Sequence, residues 1–195
     1  MLKEIEERNS LTPLVQPSET ERDKLIKQEK VRLEIIAVLP KKYLDIESDQ
    51  PFQDGSLFVA GPCGTGKTVF VCSVAKEHIK NGKRVKFLSY PAFIMQLQCL
   101  YRKENEDPFE FVLNFAKFSG YLIIDDFGAE KMTEFVRQTT YLLLNEREQR
   151  CLPIIITSNF SLSDLDTLID SRISSRIAGM CKVVKFTGED RRIGA

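Results

Sequence analysis

The stretch "SLFVAGPCGTGKT", residues 56–68, decides the fold. Its first half is a short apolar run, the pattern of a buried strand. Its second half satisfies G-x-x-x-x-G-K-[ST] with Gly61, Gly66, Lys67 and Thr68, and a helical pattern follows. A strand, a glycine-rich loop and a helix in that order turn backbone N–H groups inward around phosphates and aim a helix N-terminus at them. The spacing therefore predicts a phosphate cradle of Gly61, Pro62, Cys63, Gly64, Thr65, Gly66, Lys67, Thr68 and Val69. Lys67 reaches the terminal phosphates, and the Thr68 hydroxyl is placed to hold magnesium. Cys63 has two readings, a redox-sensitive position or a tolerated small residue.

Outward from this loop, apolar runs alternate with helical patterns, as in a three-layer α/β domain. The strands expected are 57–60, 85–89, 121–125, 153–157 and 182–186, making a five-stranded parallel sheet. The helix after the loop runs to Asn81 and stops at Gly82. Two helical patterns lie between the second and third strands, the second with Asp107 as N-cap and Pro108 at its first position. A further helix over 133–150 presents Phe135, Val136, Thr139 and Leu143 to the sheet.

Before the core, residues 1–40 read as an arm and a helix, and 41–195 as the nucleotide-binding core. Ser18 and Glu21 have capping-box spacing, and Leu25, Ile26, Leu33 and Ile36 form an apolar stripe that stops before Pro40. Residues 41–55 are polar and turn-rich.

Composition excludes several classes. Lys+Arg and Asp+Glu are both 28, so no global basic field attracts nucleic acid, and any such contact is local or shared among subunits. The five cysteines are odd in number and lack a CxxC pair, which argues against a disulfide framework or a zinc ribbon. They read as reduced thiols. The single histidine, His78, rules out a histidine metal site and reads as a solvated helix position. No apolar run approaches a membrane span and the charged N-terminus is no secretion signal, so the expectation is a soluble, cytoplasmic protein.

Three further segments carry chemistry. "YLIIDDFGAE", 121–130, is a buried strand ending in carboxylates. Asp125 is placed to order magnesium with Thr68, and Asp126 to orient or deprotonate the attacking water, with Glu130 as the other candidate. Asp is one methylene shorter than Glu, which predicts slow hydrolysis. "PIIITSNFS", 153–161, brings Asn159 to the same end of the sheet, where an amide touches the terminal phosphate and the lytic water. An Asn after a strand also serves turns for backbone reasons. "DSRISSRIAGM", 170–180, holds Arg172 and Arg176 with one acid, Asp170, so at least one arginine lacks a local partner. They are either solvated or supplied to a neighbour's nucleotide to stabilise transition-state charge.

Together "GPCGTGKT", "LIIDDFGAE", "IIITSNFSLSDL" and "SRISSRI" followed by "VVKFTGEDRR" resemble the AAA+ ATPases, and more narrowly the DnaC/DnaI-type bacterial helicase loaders and the IstB transposition ATPases. The resemblance covers roughly residues 40–192. It implies an ATPase of DNA replication that uses ATP and Mg2+, with Asn159 as the sensor of hydrolysis and Arg176, or else Arg172, as the trans-acting arginine. It also implies self-association around single-stranded DNA, a replicative helicase or other DNA-processing protein as partner, and no C-terminal lid. By the same likeness Tyr101, Arg102 and Lys103 face DNA, although surface charge and core packing explain them equally well. The 18–39 helix stands as a partner-binding element or a packed collar, and Arg191 and Arg192 as nucleotide or DNA contacts. Three alternatives remain: an IstB-like transposition ATPase, an ATP-binding adaptor with little hydrolysis, and a small-molecule kinase. The kinase is disfavoured because residues 161–180 contain only two basic residues, too few for a lid.

Overall fold

A computed structural model describes residues 18–102 and 107–191. The chain divides into two units, 1–33 and 34–195. Helix α1 (Glu19–Val38) begins with the expected box: the Ser18 N–H donates to Glu21 Oε2 at 2.7 Å and the Glu21 N–H to Ser18 Oγ at 3.3 Å. No residue of α1 is buried, and Leu25 and Ile26 of its apolar stripe are more than half exposed.

The second unit carries the sheet: β1 (Leu57–Ala60), β2 (Val85–Ser89), β3 (Tyr121–Phe127), β4 (Ile154–Ser158) and β5 (Lys182–Lys185), in the order β2-β3-β4-β1-β5. Every pairing is parallel, so each strand needs a crossover, and helices supply them. These are α2 (Lys67–Lys80), α3 (Tyr90–Tyr101), α4 (Pro108–Ala116), α5 (Glu134–Gln149), α6 (Leu162–Leu168) and α7 (Ser171–Met180). Right-handed crossovers put α2 on one face and the later helices on the other, the expected three layers. Phe58, Leu122, Ile124, Ile154 and Ile156 pack with Phe93, Val112, Leu143, Leu144 and Ile177 in the larger core. The alternate residues Leu57, Val59, Ile123 and Ile155 are equally buried on the opposite face, the pattern of a parallel sheet covered on both sides.

The caps follow the sequence. Asp107 accepts from the Phe109 N–H at 2.8 Å with Pro108 at the first helical position, and Thr133 caps α5. Val136, Thr139 and Leu143 are buried as expected, whereas Phe135 is half-buried, its ring 4.7 Å from that of Tyr101.

Two buried polar groups stand out, and the first departs from the expectation. His78 is not solvated: at 3% exposure it stacks on Tyr121 with ring centroids 3.7 Å apart and meets the edge of Phe52, because residues 52–54 fold over the end of α2. Arg147 is fully buried, and among the described residues no acid pairs with it. Its guanidinium instead donates to the carbonyls of Phe115, Ala116, Phe118, Gly120 and Pro153, joining the end of α4 to the starts of β3 and β4.

Candidate nucleotide site

β1 lies inside the sheet between β4 and β5, and its crossover to β2 runs opposite to those that follow. The end of such a strand is where α/β sheets open a crevice. Gly61 has no room for a side chain, since a Cβ there would sit 2.2 Å from the Phe186 carbonyl oxygen. Gly66, the N-cap of α2, has φ of 96°, a left-handed conformation that glycine adopts without steric cost. The Thr65 hydroxyl closes the loop on the Pro62 carbonyl at 2.9 Å.

Lys67 is buried, and its ammonium donates to the carbonyls of Gly61 and Pro62 at 2.8 and 2.7 Å and to Asn159 Oδ1 at 2.8 Å. Thr68 Oγ1 donates to Asp125 Oδ1 at 3.0 Å, and Thr157 Oγ1 donates to the same oxygen at 2.7 Å. Burial pushes the Asp125 carboxyl above the usual range, the hydroxyls of Thr157 and Thr68 oppose that rise, and the neighbouring Asp126 charge adds to it.

The two aspartates are separated by a kink in β3. Ile124 stands opposite Ile156 and Phe127 opposite Ser158, so one residue is extra in β3. Asp126 takes φ of 59°, and its N–H donates to Thr157 Oγ1 at 2.9 Å. A bulge beside a site re-aims a side chain. Here it leaves Asp125 buried beside Thr68 and turns Asp126 outward to line the cavity.

That cavity measures about 660 Å3, within the range of small-molecule sites. Of the expected cradle, Cys63, Gly64, Thr65, Gly66, Lys67, Thr68 and Val69 line it together with Asp126 and Asn159, while Gly61 and Pro62 reach it through their carbonyl bonds to Lys67. Glu130 is exposed and lies outside its lining. The donors beside Thr68, its own hydroxyl and the Asp125 carboxylate, are oxygens. This suits magnesium, which keeps waters and substrate phosphates as ligands and needs few from the protein.

Arg172 and Arg176 lie elsewhere, around a separate cleft with Tyr141, Glu148 and Ser175. Arg176 has no partner within its own segment, as expected, and finds one on another element. Asp170 holds Arg172 at 2.9 Å, and Arg176 pairs with Glu148 of α5, 28 residues away in sequence, and donates to Tyr141 Oη at 2.5 Å. Tyr101 and Arg102 are exposed at the end of α3, and Lys103 lies outside the described residues. Sequence reasoning missed Thr157, whose place at the end of β4 is its only signal. It also missed Tyr43 and Ile46, which line the cavity from a stretch read as turn-rich linker, and left open Arg191, which lines it too.

The family profile of the IstB-like ATP binding protein matches residues 52–194, and so spans both the loop and the carboxylate strand. The chain belongs to the IstB-like ATP-binding family. Among curated proteins, this IstB-like chain is 28% identical over 149 residues to the replicative helicase loader DnaI of Bacillus subtilis (strain 168). That alignment covers 70% of this chain and 47% of the loader, so the chain spans about half the length of the curated relative it matches. Among solved structures it resembles the crystal structure of DnaI, with a TM-score of 0.60 and 23% identity over 86% of this chain and 84% of that one. It also resembles the DnaC helicase loader, with a TM-score of 0.57 and 21% identity over 88% and 92%. AMPPCP-bound DnaA from Aquifex aeolicus gives 0.59 and 21% over 89% and 48%. These structural likenesses give the fold, a three-layer α/β domain with a parallel sheet. No helix among the described residues is long and apolar enough to cross a membrane.

Proposed function

We propose that this IstB-like domain is a helicase-loader-like ATPase of DNA replication, which binds ATP with Mg2+ between subunits, assembles on single-stranded DNA and hydrolyses slowly. The observation that carries the reading is the joining of three segments at one cavity: the glycine-rich loop through Lys67 to Asn159, and through Thr68 to Asp125.

In this reading the loop N–H groups and Lys67 bind the phosphates, and Lys67 exchanges its carbonyl partners for phosphate oxygens. Thr68 and Asp125 hold magnesium, which neutralises charge developing on the transferred phosphoryl group. Asp126, turned outward by the bulge, accepts a proton from the attacking water or orients it. Asn159 donates its amide to the terminal phosphate while its carbonyl keeps Lys67 in place, so loss of that phosphate frees one group of a bonded pair. Arg176, or Arg172 in its stead, enters a neighbour's site, because neither reaches the cavity of its own chain.

Tyr101, Arg102 and Lys103 contact single-stranded DNA, and residues 1–40 form an arm and helix separate in role from the 41–195 core. The partner is a replicative helicase or another DNA-processing protein in the cytoplasm. A transposition ATPase is the second reading, favoured by the family match itself.

The test is molar mass by light scattering with a non-hydrolysable ATP analogue and magnesium, with and without a single-stranded oligonucleotide. A multimer that requires nucleotide and DNA, and is lost in Arg176→Ala, supports the reading. A chain that stays monomeric throughout overturns it in favour of an adaptor or a kinase.

A further inference from the structure

The cavity has two walls of different origin. One is the loop at the N-terminus of α2. The other comes from residues 42–49, which place Tyr43 and Ile46 at the cavity. Ile46 is 47% exposed, an isoleucine left open on the side where an apolar base face would lie.

Beyond a 3₁₀ helix at Lys41–Tyr43, residues 44–56 contain no helix or strand, so no backbone ladder holds this wall. Side chains of α2 hold it instead. Lys76, 2% exposed, donates from Nζ to the Ile46 carbonyl at 2.7 Å and to Glu47 Oε1 at 3.2 Å. One turn earlier, Ser73 Oγ accepts the Ser48 N–H at 2.8 Å. Asp49 follows and pairs with Arg191 at 3.4 Å across the cavity lining.

A buried ammonium is costly unless it is well bonded. Glu47 is 63% exposed and could pair with any surface lysine, so the ion pair alone does not account for burying Lys76. The bond that requires the buried position is the one to the Ile46 backbone. Ser73 and Lys76 stand five and eight residues after Thr68 on one helix, about 8 and 12 Å along its axis. That span is of the order of a nucleoside triphosphate's own length.

We infer that Lys76 and Ser73 are positioning residues that fix the base-side wall at a set distance from the phosphate loop, so that the site selects a nucleoside triphosphate over a bare phosphate chain. The inference rests on the reading of the cavity as a nucleotide site. α2 acts as a ruler: its N-terminus carries Lys67 and Thr68, and its second and third turns carry the ties to the wall that meets the base.

Calorimetric titration with ATP and with inorganic tripolyphosphate, each with magnesium, tests it on the native chain, Lys76→Met and Ser73→Ala. The affinity ratio of ATP to tripolyphosphate falls about tenfold in Lys76→Met and about threefold in Ser73→Ala, the loss of one or two net hydrogen bonds. Tripolyphosphate affinity itself stays within about twofold, since the loop is untouched. A ratio unchanged in the variants, equal affinities in the native chain, or a parallel loss of both ligands overturns the inference. If circular dichroism shows Lys76→Met unfolded, Ser73→Ala decides by the same criterion. Absence of ATP binding by the native chain overturns instead the nucleotide reading beneath it.

Discussion

Lys67 Nζ and Asn159 Oδ1 lie 2.8 Å apart, joining the loop after β1 to the turn after β4 across 92 positions of sequence. The ammonium is thereby held by three oxygens of the chain and aimed at the place where phosphates would bind.

Asn159→Ala removes one of those oxygens and the amide beside it. Turnover falls about a hundredfold, the usual loss when one electrostatic donor to a transition state is deleted. ATP affinity falls less than about tenfold, because Lys67 and the loop N–H groups remain to bind the phosphates. Single-turnover hydrolysis and nucleotide titration on one preparation separate the two effects.

Asp126→Asn keeps the left-handed backbone at φ of 59°, which Asn tolerates, and so retains the native melting temperature and ATP binding. Its turnover is lost. Asp126→Val places a β-branched residue in that conformation and costs about 1–3 kcal/mol, read as an early midpoint in urea. Normal turnover in Asp126→Asn would remove this residue from the catalytic role proposed for it.

Burial raises the Asp125 carboxyl above its unfolded value. A group raised in this way stabilises the fold fully below its unfolded pKa, and that contribution is lost as pH rises through the folded one. At neutral pH the ionised carboxylate is therefore a burden on the free protein. Asp125→Asn raises the melting temperature without nucleotide and abolishes the further rise that MgATP gives the native chain. Thermal unfolding with and without MgATP checks both halves.

His78 works in the other direction. Burial lowers its pKa, so its contribution is present above the unfolded value of about 6.5 and is lost as pH falls through the folded one. It is the only histidine in the chain, which makes the attribution clean. Urea midpoints of the native chain drop between neutral pH and about pH 5, and those of His78→Leu stay flatter over the same interval. Parallel curves would place the titration elsewhere.

Arg147→Met leaves the carbonyls of Phe115, Ala116, Phe118, Gly120 and Pro153 short of a donor in the interior. The loss is about 1–3 kcal/mol, since the carbonyls of Phe115, Phe118 and Pro153 keep the N–H groups of Phe118, Gly120 and Leu122 and the unmet demand falls on the others. Chemical denaturation measures it.

What the sequence determined by itself is everything written in short windows. The strand before Gly61, the helix after Gly66, the caps at Ser18, Asp107 and Thr133, and the carboxylates at the end of β3 are all local patterns of period, turn chemistry and capping. Each rests on interactions within a few residues, so the order of residues suffices. Tertiary structure alone decided which aspartate is buried, because the bulge in β3 exists only against β4. It alone decided that Arg176 finds Glu148, that His78 lies between Tyr121 and Phe52, and that Lys76 reaches the Ile46 carbonyl. Those partners are 26 to 43 residues apart in sequence, and no local period records a contact that arises when two elements pack.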